Sequence, residues 1–192
     1  MFDLIREDFE VYGRQISRQG LWVMVAYRFG RWARGVKPGI LRGPLSLVYQ
    51  CLKLLSQVLT GIDLPCETTL GRRFKIEHFG GIVISGHAVF GDDVIVRQGV
   101  TVDIRRTGER GAPVIGDRVD IGAGAKILGP IEIGDDVFVG ANAVVIRDVP
   151  SNSIAVGVPA RVRPRASNFE EIAALSFDYG RHKHDNREKQ RV

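Results

Sequence analysis

IGDRVDIGAGAKIL (residues 115–128) and IGDDVFVGANAVVI (residues 133–146) share one pattern: an aliphatic residue, then glycine, then a second small or apolar residue four places on. The count extends in both directions. Aliphatic or aromatic residues stand six apart at Leu64, Leu70 and Ile76, at Ile84, Phe90, Val96 and Val102, and at Ile115, Ile121, Ile127, Ile133, Val139 and Val145. Gly71, Ser85, Gly91, Gly116, Gly122, Gly134 and Gly140 follow most of them. Ala88, Val94, Val100, Val119, Ala125, Val137 and Ala143 fill the second small position. Such a period, punctuated by glycine, predicts a parallel β-helix. Each hexad supplies one short strand and one bend, and too little apolar face to be stable alone. Stacked coils bury equivalent aliphatic residues in ladders while their backbones pair.

Composition agrees with this. The chain has 192 residues, 44% hydrophobic and 26% charged, as in a globular protein with one good core. Two cysteines, Cys51 and Cys66, give no disulfide framework, and no segment reads as a signal peptide or a spanning helix. A cytoplasmic protein is expected. Of the net charge of +5, the stretch RHKHDNREKQRV (residues 181–192) supplies five basic and two acidic residues, hence +3. That reads as a solvated tail. With no aromatic stacking positions or reader motif, nucleic acid is not an expected partner.

Three parts follow. Residues 1–60 are expected to be helical, from the spacing of Ile5, Phe9 and Tyr12 and of Trp22, Val25, Ala26 and Phe29. A turn-rich linker runs from Gly35 to Pro44, before a third helix whose seam is Leu45, Val48, Leu52, Leu55 and Leu59. That seam predicts core or subunit packing, with membrane contact at most peripheral. Residues 61–165 carry the hexads. Residues 166–192 hold a short helix, opened by Ser167 and Glu170 at capping-box spacing, and the basic tail.

The repeat breaks twice: by two extra residues between Ile76 and Ile84, and by the projecting run DIRRTGERGAPV (residues 103–114). Functional residues favour loops held by a stiff scaffold. His78 sits at the first break, beside Glu77, with Asp63 about one coil earlier.

The series Gly61-Ile62-Asp63, Glu77-His78 and Gln98-Gly99-Val100-Thr101 resembles the serine acetyltransferases. So do Ile121-Gly122-Ala123-Gly124-Ala125-Lys126-Ile127-Leu128-Gly129 and Gly157-Val158-Pro159-Ala160. They belong to the wider hexapeptide-repeat acyltransferases, and the likeness covers about residues 61–165. It implies a left-handed β-helix, a homotrimer with active sites between subunits, and acetyl-CoA lying along the coils; pairing of two trimers is left open. It also implies His78 as general base, for which the intrinsic pKa of histidine is suited, with Asp63 orienting the imidazole and Glu77 contacting the acceptor. For acetyl-CoA the matching positions are Gly122, Ala123, Gly140 and Ala141, with Arg147, Arg161 and Arg163 offering donors to phosphates. Cys66 lacks neighbours that would activate it, so direct transfer is favoured over an acyl-enzyme.

The departures bear on the acceptor. Where serine acetyltransferases carry an Arg-His-Pro run, this chain has Glu109-Arg110-Gly111-Ala112-Pro113. Ala112 replaces the histidine, and Arg110, the acceptor-binding candidate, is displaced by one place. Loss of a polar group from such a site shifts specificity strongly. The expected activity is therefore acetyl-CoA-dependent O-acetyl transfer to a sugar hydroxyl of a polysaccharide or its precursor. Serine is the alternative acceptor, and a non-catalytic scaffold the remote one. A zinc carbonic anhydrase of this fold would need three histidines, and the repeat has only His78 and His87, so no metal is expected.

Overall fold

The computed structural model describes residues 2–37, 39–106, 108 and 111–165. Three helices come first: α1 (Phe2–Val11), α2 (Gln19–Gly35) and α3 (Gly39–Thr60). Five coils follow. The first holds β1 (Ile62–Asp63), β2 (Thr69–Leu70) and β3 (Lys75–Glu77), and the second β4 (Ile82–Ile84), β5 (Val89–Phe90) and β6 (Ile95–Arg97). The third holds β7 (Thr101–Asp103), β8 (Val114–Ile115) and β9 (Asp120–Ile121), and the fourth β10 (Lys126–Leu128), β11 (Glu132–Ile133) and β12 (Phe138–Val139). The fifth has β13 (Val144–Val145) and β14 (Ser153–Val156), after which β15 (Arg161–Pro164) turns back antiparallel onto β14. Three sheets form the walls, in the orders β1-β4-β7-β10-β13, β2-β5-β8-β11 and β3-β6-β9-β12-β14, and every pairing within them is parallel.

The hexads set the register. Ile84, Val102, Ile127 and Val145 stack on the first wall, Leu70, Phe90, Ile115 and Ile133 on the second, and Ile76, Val96, Ile121 and Val139 on the third. All but Leu70 are buried. The second small position is buried as well, because it faces inward two residues before each ladder residue.

One corner has its own chemistry. At Arg73, Asp93, Arg118, Asp136 and Asn152 the backbone is left-handed, with φ from 54° to 59°. The carboxylate just before this position accepts an N–H from the preceding coil: Asp92 from Arg72 (2.7 Å), Asp117 from Asp92 (2.7 Å) and Asp135 from Asp117 (2.8 Å). Arg73 and Asp93 pair in fork geometry, as do Arg118 and Asp136 at 2.8 Å. Alternating charge up the column offsets the cost of a left-handed residue in every coil.

The helices differ from expectation at one place. Helix α3 already begins at Gly39, so Gly43 and Pro44 of the expected linker lie inside it. Pro44 is the sixth residue of α3, so it forgoes one i→i−4 hydrogen bond, that to the Ile40 carbonyl, near the start of the helix. Tyr49 and Ser56 of α3 face α2 and β1, and Tyr49 accepts the Cys66 N–H at 2.8 Å. Much of the Leu45–Leu59 seam instead points outward. Helix α2 buries Leu21, Val23, Met24 and Tyr27 against the first coil, where the Tyr27 hydroxyl donates to the Thr68 carbonyl at 2.8 Å. Asp8 of α1 and Arg28 of α2 form a buried fork at 2.9 and 3.2 Å. The expected helix from Ser167 and the basic tail lie outside the described residues.

Candidate active site

His78 directly follows β3, at the corner where the third wall turns into the first. Its own φ is 65°, and Gly80 and Gly81 follow at 106° and 65°. The two extra residues of the broken hexad make this corner, and the imidazole is exposed rather than turned into the core. It borders a cleft of about 450 Å³ between β3 and the turn from α1 to α2, lined also by Tyr12, Gln15, Arg18, Gln19, Lys75 and Glu77. Gly20 permits that approach, because a Cβ there would lie 2.7 Å from the Ile76 carbonyl oxygen. The Tyr12 hydroxyl accepts the Ile76 N–H at 2.8 Å, and burial pushes its phenol pKa up. The wall of the cleft is therefore fixed.

Both oxygens of Glu77 are engaged, Oε1 by Lys75 at 2.7 Å and Oε2 by Arg97 at 3.3 Å. Arg97 in turn forks onto Asp120 of the next coil. The hydrogen bond from Lys75, more than any other factor, holds the Glu77 carboxyl below its ordinary range, with the Lys75 and Arg97 charges adding to it. A depressed folded pKa stabilises the fold above the carboxylate's unfolded value, and that gain is lost as pH falls through the folded value. Glu77→Gln should accordingly flatten the acid limb of a stability–pH curve. An unchanged limb would show that the pairs contribute nothing. With Lys75 taken by Glu77, Arg18 is the cation of the cleft without a carboxylate partner among the described residues; its guanidinium touches only the Gln15 amide oxygen, at 2.9 Å.

Asp63 lies on β1, paired in register with Val83. Its Oδ1 is shielded from water and makes no hydrogen bond, but faces the Lys53 ammonium at 3.1 Å. No hydrogen bond joins Asp63 to His78. Arg110 lies outside the described residues, and Ala112 and Pro113 beside it are buried.

A second groove, of about 360 Å³, brings Arg147 and Arg161 together with Ile146, Pro159 and Ala160. Neither arginine has an ion-pair partner among the described residues, which suits the phosphates of a nucleotide-bearing thioester. Arg163 stands opposite Ile154 on β15 and does not line this groove. Gly122 and Gly140 are buried, whereas Ala141 is exposed and Ala123 intermediate. A Cβ on Gly122 would meet Ala141 N at 2.6 Å, so coil-to-coil contact alone requires that glycine. Among the described residues, no cluster of three His, Cys, Asp or Glu could hold a metal ion.

The sequence singled out His78, Glu77 and Asp63 but not Tyr12, Gln15 or Arg18. These lie some sixty positions upstream, in a helical turn with no motif of its own, and only packing of the helices brings them to β3.

Comparison with known proteins fits this geometry. Residues 112–147 match the bacterial transferase hexapeptide family (six repeats), so the coil is left-handed. A serine acetyltransferase of Mycobacterium tuberculosis is 42% identical over 132 residues, 68% of this chain and 54% of that protein. One from Synechococcus elongatus is 35% identical over 175 residues, 84% of this chain and 68% of that protein. The crystal structure of a Brucella abortus serine acetyltransferase in complex with coenzyme A superposes with a TM-score of 0.72 at 27% identity, covering 85% of this chain and 67% of that one. These relatives overturn the expected sugar acceptor, and with it a place in polysaccharide biosynthesis. The inference rested mainly on the loop from Glu109 to Pro113, of which Glu109 and Arg110 lie outside the described residues. The cleft beside His78 is built largely from other elements. A left-handed hexapeptide coil, an exposed histidine at its broken hexad and relatives of this kind lead to one conclusion: the chain belongs to the serine acetyltransferase family of acetyl-CoA-dependent acyltransferases.

Proposed function

We propose that this protein transfers the acetyl group of acetyl-CoA to the hydroxyl of L-serine, with His78 as general base. The observation that carries the reading is the exposed imidazole bordering a cleft that also presents a guanidinium, Arg18, with no carboxylate partner among the described residues. Serine is a small zwitterion, and its carboxylate needs a cation. The imidazole takes the hydroxyl proton as the oxygen attacks the thioester carbonyl carbon. The C–S bond then breaks, and the proton passes to the departing thiolate. Asp63, whose shielded Oδ1 has no hydrogen bond among the described residues, would orient the imidazole once Lys53 yields it. Glu77, restrained by Lys75 and Arg97, forms the fixed anionic wall toward the serine ammonium.

Acetyl-CoA supplies the activated thioester. Arg147 and Arg161 would hold its phosphates in the groove at the fifth coil. That groove lies about four strand spacings along the axis from the first coil, roughly 19 Å at about 4.8 Å each, which suits an extended ligand along Gly122, Ala123, Gly140 and Ala141. Arg163, outside the groove lining, would reinforce the positive rim, and Arg110 would contact the acceptor. A homotrimer with sites between subunits fits the flat walls of a short coil.

The test is CoA release with acetyl-CoA and a series of acceptors. Wild-type protein should turn over L-serine and reject L-serine methyl ester, which lacks the carboxylate. Arg18→Gln should raise the KM for serine by roughly ten- to a hundredfold, leave that for acetyl-CoA unchanged, and remove the discrimination against the ester. Absence of serine turnover in the wild type would defeat the reading. Turnover with an unaltered serine KM in Arg18→Gln would defeat only the assignment of Arg18.

A further inference from the structure

The outward face of the third wall carries a charge cluster that spans three coils. Ile76, Val96 and Ile121 face the core, so their strand neighbours Lys75, Glu77, Ile95, Arg97 and Asp120 face outward. Glu77 and Arg97 are direct partners in the parallel pairing of β3 with β6. Asp120 stands opposite Ile95, and the same register, continued one residue past Ile121, sets Gly122 over Arg97. No side chain fits there, because a Cβ on Gly122 would lie 2.6 Å from the Ala141 nitrogen. The guanidinium therefore leans back onto Asp120 and forks its two carboxylate oxygens, with Nη2 3.3 Å from Oδ2. The same Nη2 lies 3.3 Å from Glu77 Oε2. One nitrogen thus joins carboxylates of the first and third coils, two strand spacings or about 10 Å apart along the axis.

Charge balance gives this cluster its consequence. Lys75 and Arg97 both bond Glu77, the carboxylate that lines the cleft beside His78. Without Asp120, two cations would outnumber that single carboxylate and repel an ammonium brought up to it. Asp120 brings the four charges to zero. Its fork also fixes the plane of the guanidinium that holds Glu77 in place. Neither Arg97 nor Asp120 lines the cleft. Their side chains are 28% and 33% exposed, and ion pairs so open to water contribute little to stability.

We propose that Asp120 and Arg97 are positioning residues for the acceptor: Asp120, through Arg97, presents Glu77 to an amino group and so selects hydroxy acids that carry an ammonium beside the carboxylate. The proposal rests on the reading of Glu77 as the wall toward the serine ammonium, and it names the residues that make that wall selective.

Acceptor discrimination in Asp120→Asn tests it, since the substitution keeps the size of the side chain and removes its charge. The probe is 3-hydroxypropanoate, which has the hydroxyl and carboxylate of serine but no ammonium. In Asp120→Asn the KM for L-serine should rise by about three- to tenfold, while kcat and the KM for acetyl-CoA stay within about twofold of wild type. The preference for L-serine over 3-hydroxypropanoate, as a ratio of kcat/KM, should fall by the same factor. Asp120→Glu, which keeps the carboxylate, should restore most of that preference. An unaltered serine KM in Asp120→Asn would overturn the proposal and leave the serine reading intact. So would an equal loss for both acceptors, since a merely structural role weakens them alike. Wild-type protein that fails to turn over L-serine would overturn the serine reading, and this proposal with it.

Discussion

His78→Ala should lower kcat for acetyl transfer by about two to four orders of magnitude while leaving the melting temperature nearly unchanged. The two parts of that result rest on separate observations. The imidazole is exposed and makes no hydrogen bond among the described residues, so its removal opens no cavity and orphans no buried group. It is also the one imidazole lining the cleft, where Glu77 is held as a low-pKa carboxylate between two cations. The backbone at His78 is left-handed, a conformation asparagine tolerates well. His78→Asn therefore serves as the matched control: it keeps a polar side chain and the local backbone but cannot act as base. Both variants should be inactive with fold and acetyl-CoA binding retained. Activity within about tenfold of wild type in either would remove His78 from the mechanism.

Arg28→Ala should destabilise the protein by about 3–5 kcal/mol, the largest single loss of stability expected in the helical part. Asp8 is fully buried and Arg28 nearly so, and their fork joins α1 to α2. Truncating the arginine leaves a carboxylate enclosed without its counter-charge, and that uncompensated burial accounts for most of the loss. Replacing both partners with apolar side chains, as in Asp8→Leu with Arg28→Met, should restore much of the stability, because the charge and its partner then leave together. Chemical denaturation separates these outcomes: an Arg28→Ala midpoint equal to wild type would show that the fork contributes little, and a double variant no more stable than Arg28→Ala would show that the stranded charge is not the cause. The α1–α2 pair also carries Tyr12 and Arg18, so Arg28→Ala should raise the serine KM even at temperatures where the protein stays folded.

The β-helix was legible in the sequence because each hexad states its own place. An aliphatic residue that must face inward, a small residue at the bend and a carboxylate next to the left-handed corner all lie within six positions of one another. Ile121 needs no distant information to be assigned to a ladder with Val96 and Val139. The same logic exposed His78, since a break in a strict period is itself a local signal. Gly122 was harder to interpret. Its neighbour in the next coil already forbids a Cβ, so its identity reports stacking whether or not a ligand lies there.

The acceptor side followed no such rule. Ala112, seen as a missing polar group, pointed to a sugar, yet the cleft takes its cation from Arg18 on a different element. Asp63 and His78 are close in coil position, but the Asp63 carboxylate meets Lys53 of α3. The amphipathic seam of α3 was correctly placed on a helix, while its direction, outward rather than into the core, was not determined by its spacing.

By itself, then, the amino-acid order determined the stacked coil, its three ladders and the histidine at its first irregularity, since short-range periodicity encodes all of these. Only the tertiary structure decided what surrounds that histidine and which helix face remains uncovered. Both depend on how three helices dock against the first coil, and that docking is fixed by contacts such as Tyr12 with Ile76 and Asp8 with Arg28, between residues too far apart in the chain to share a pattern.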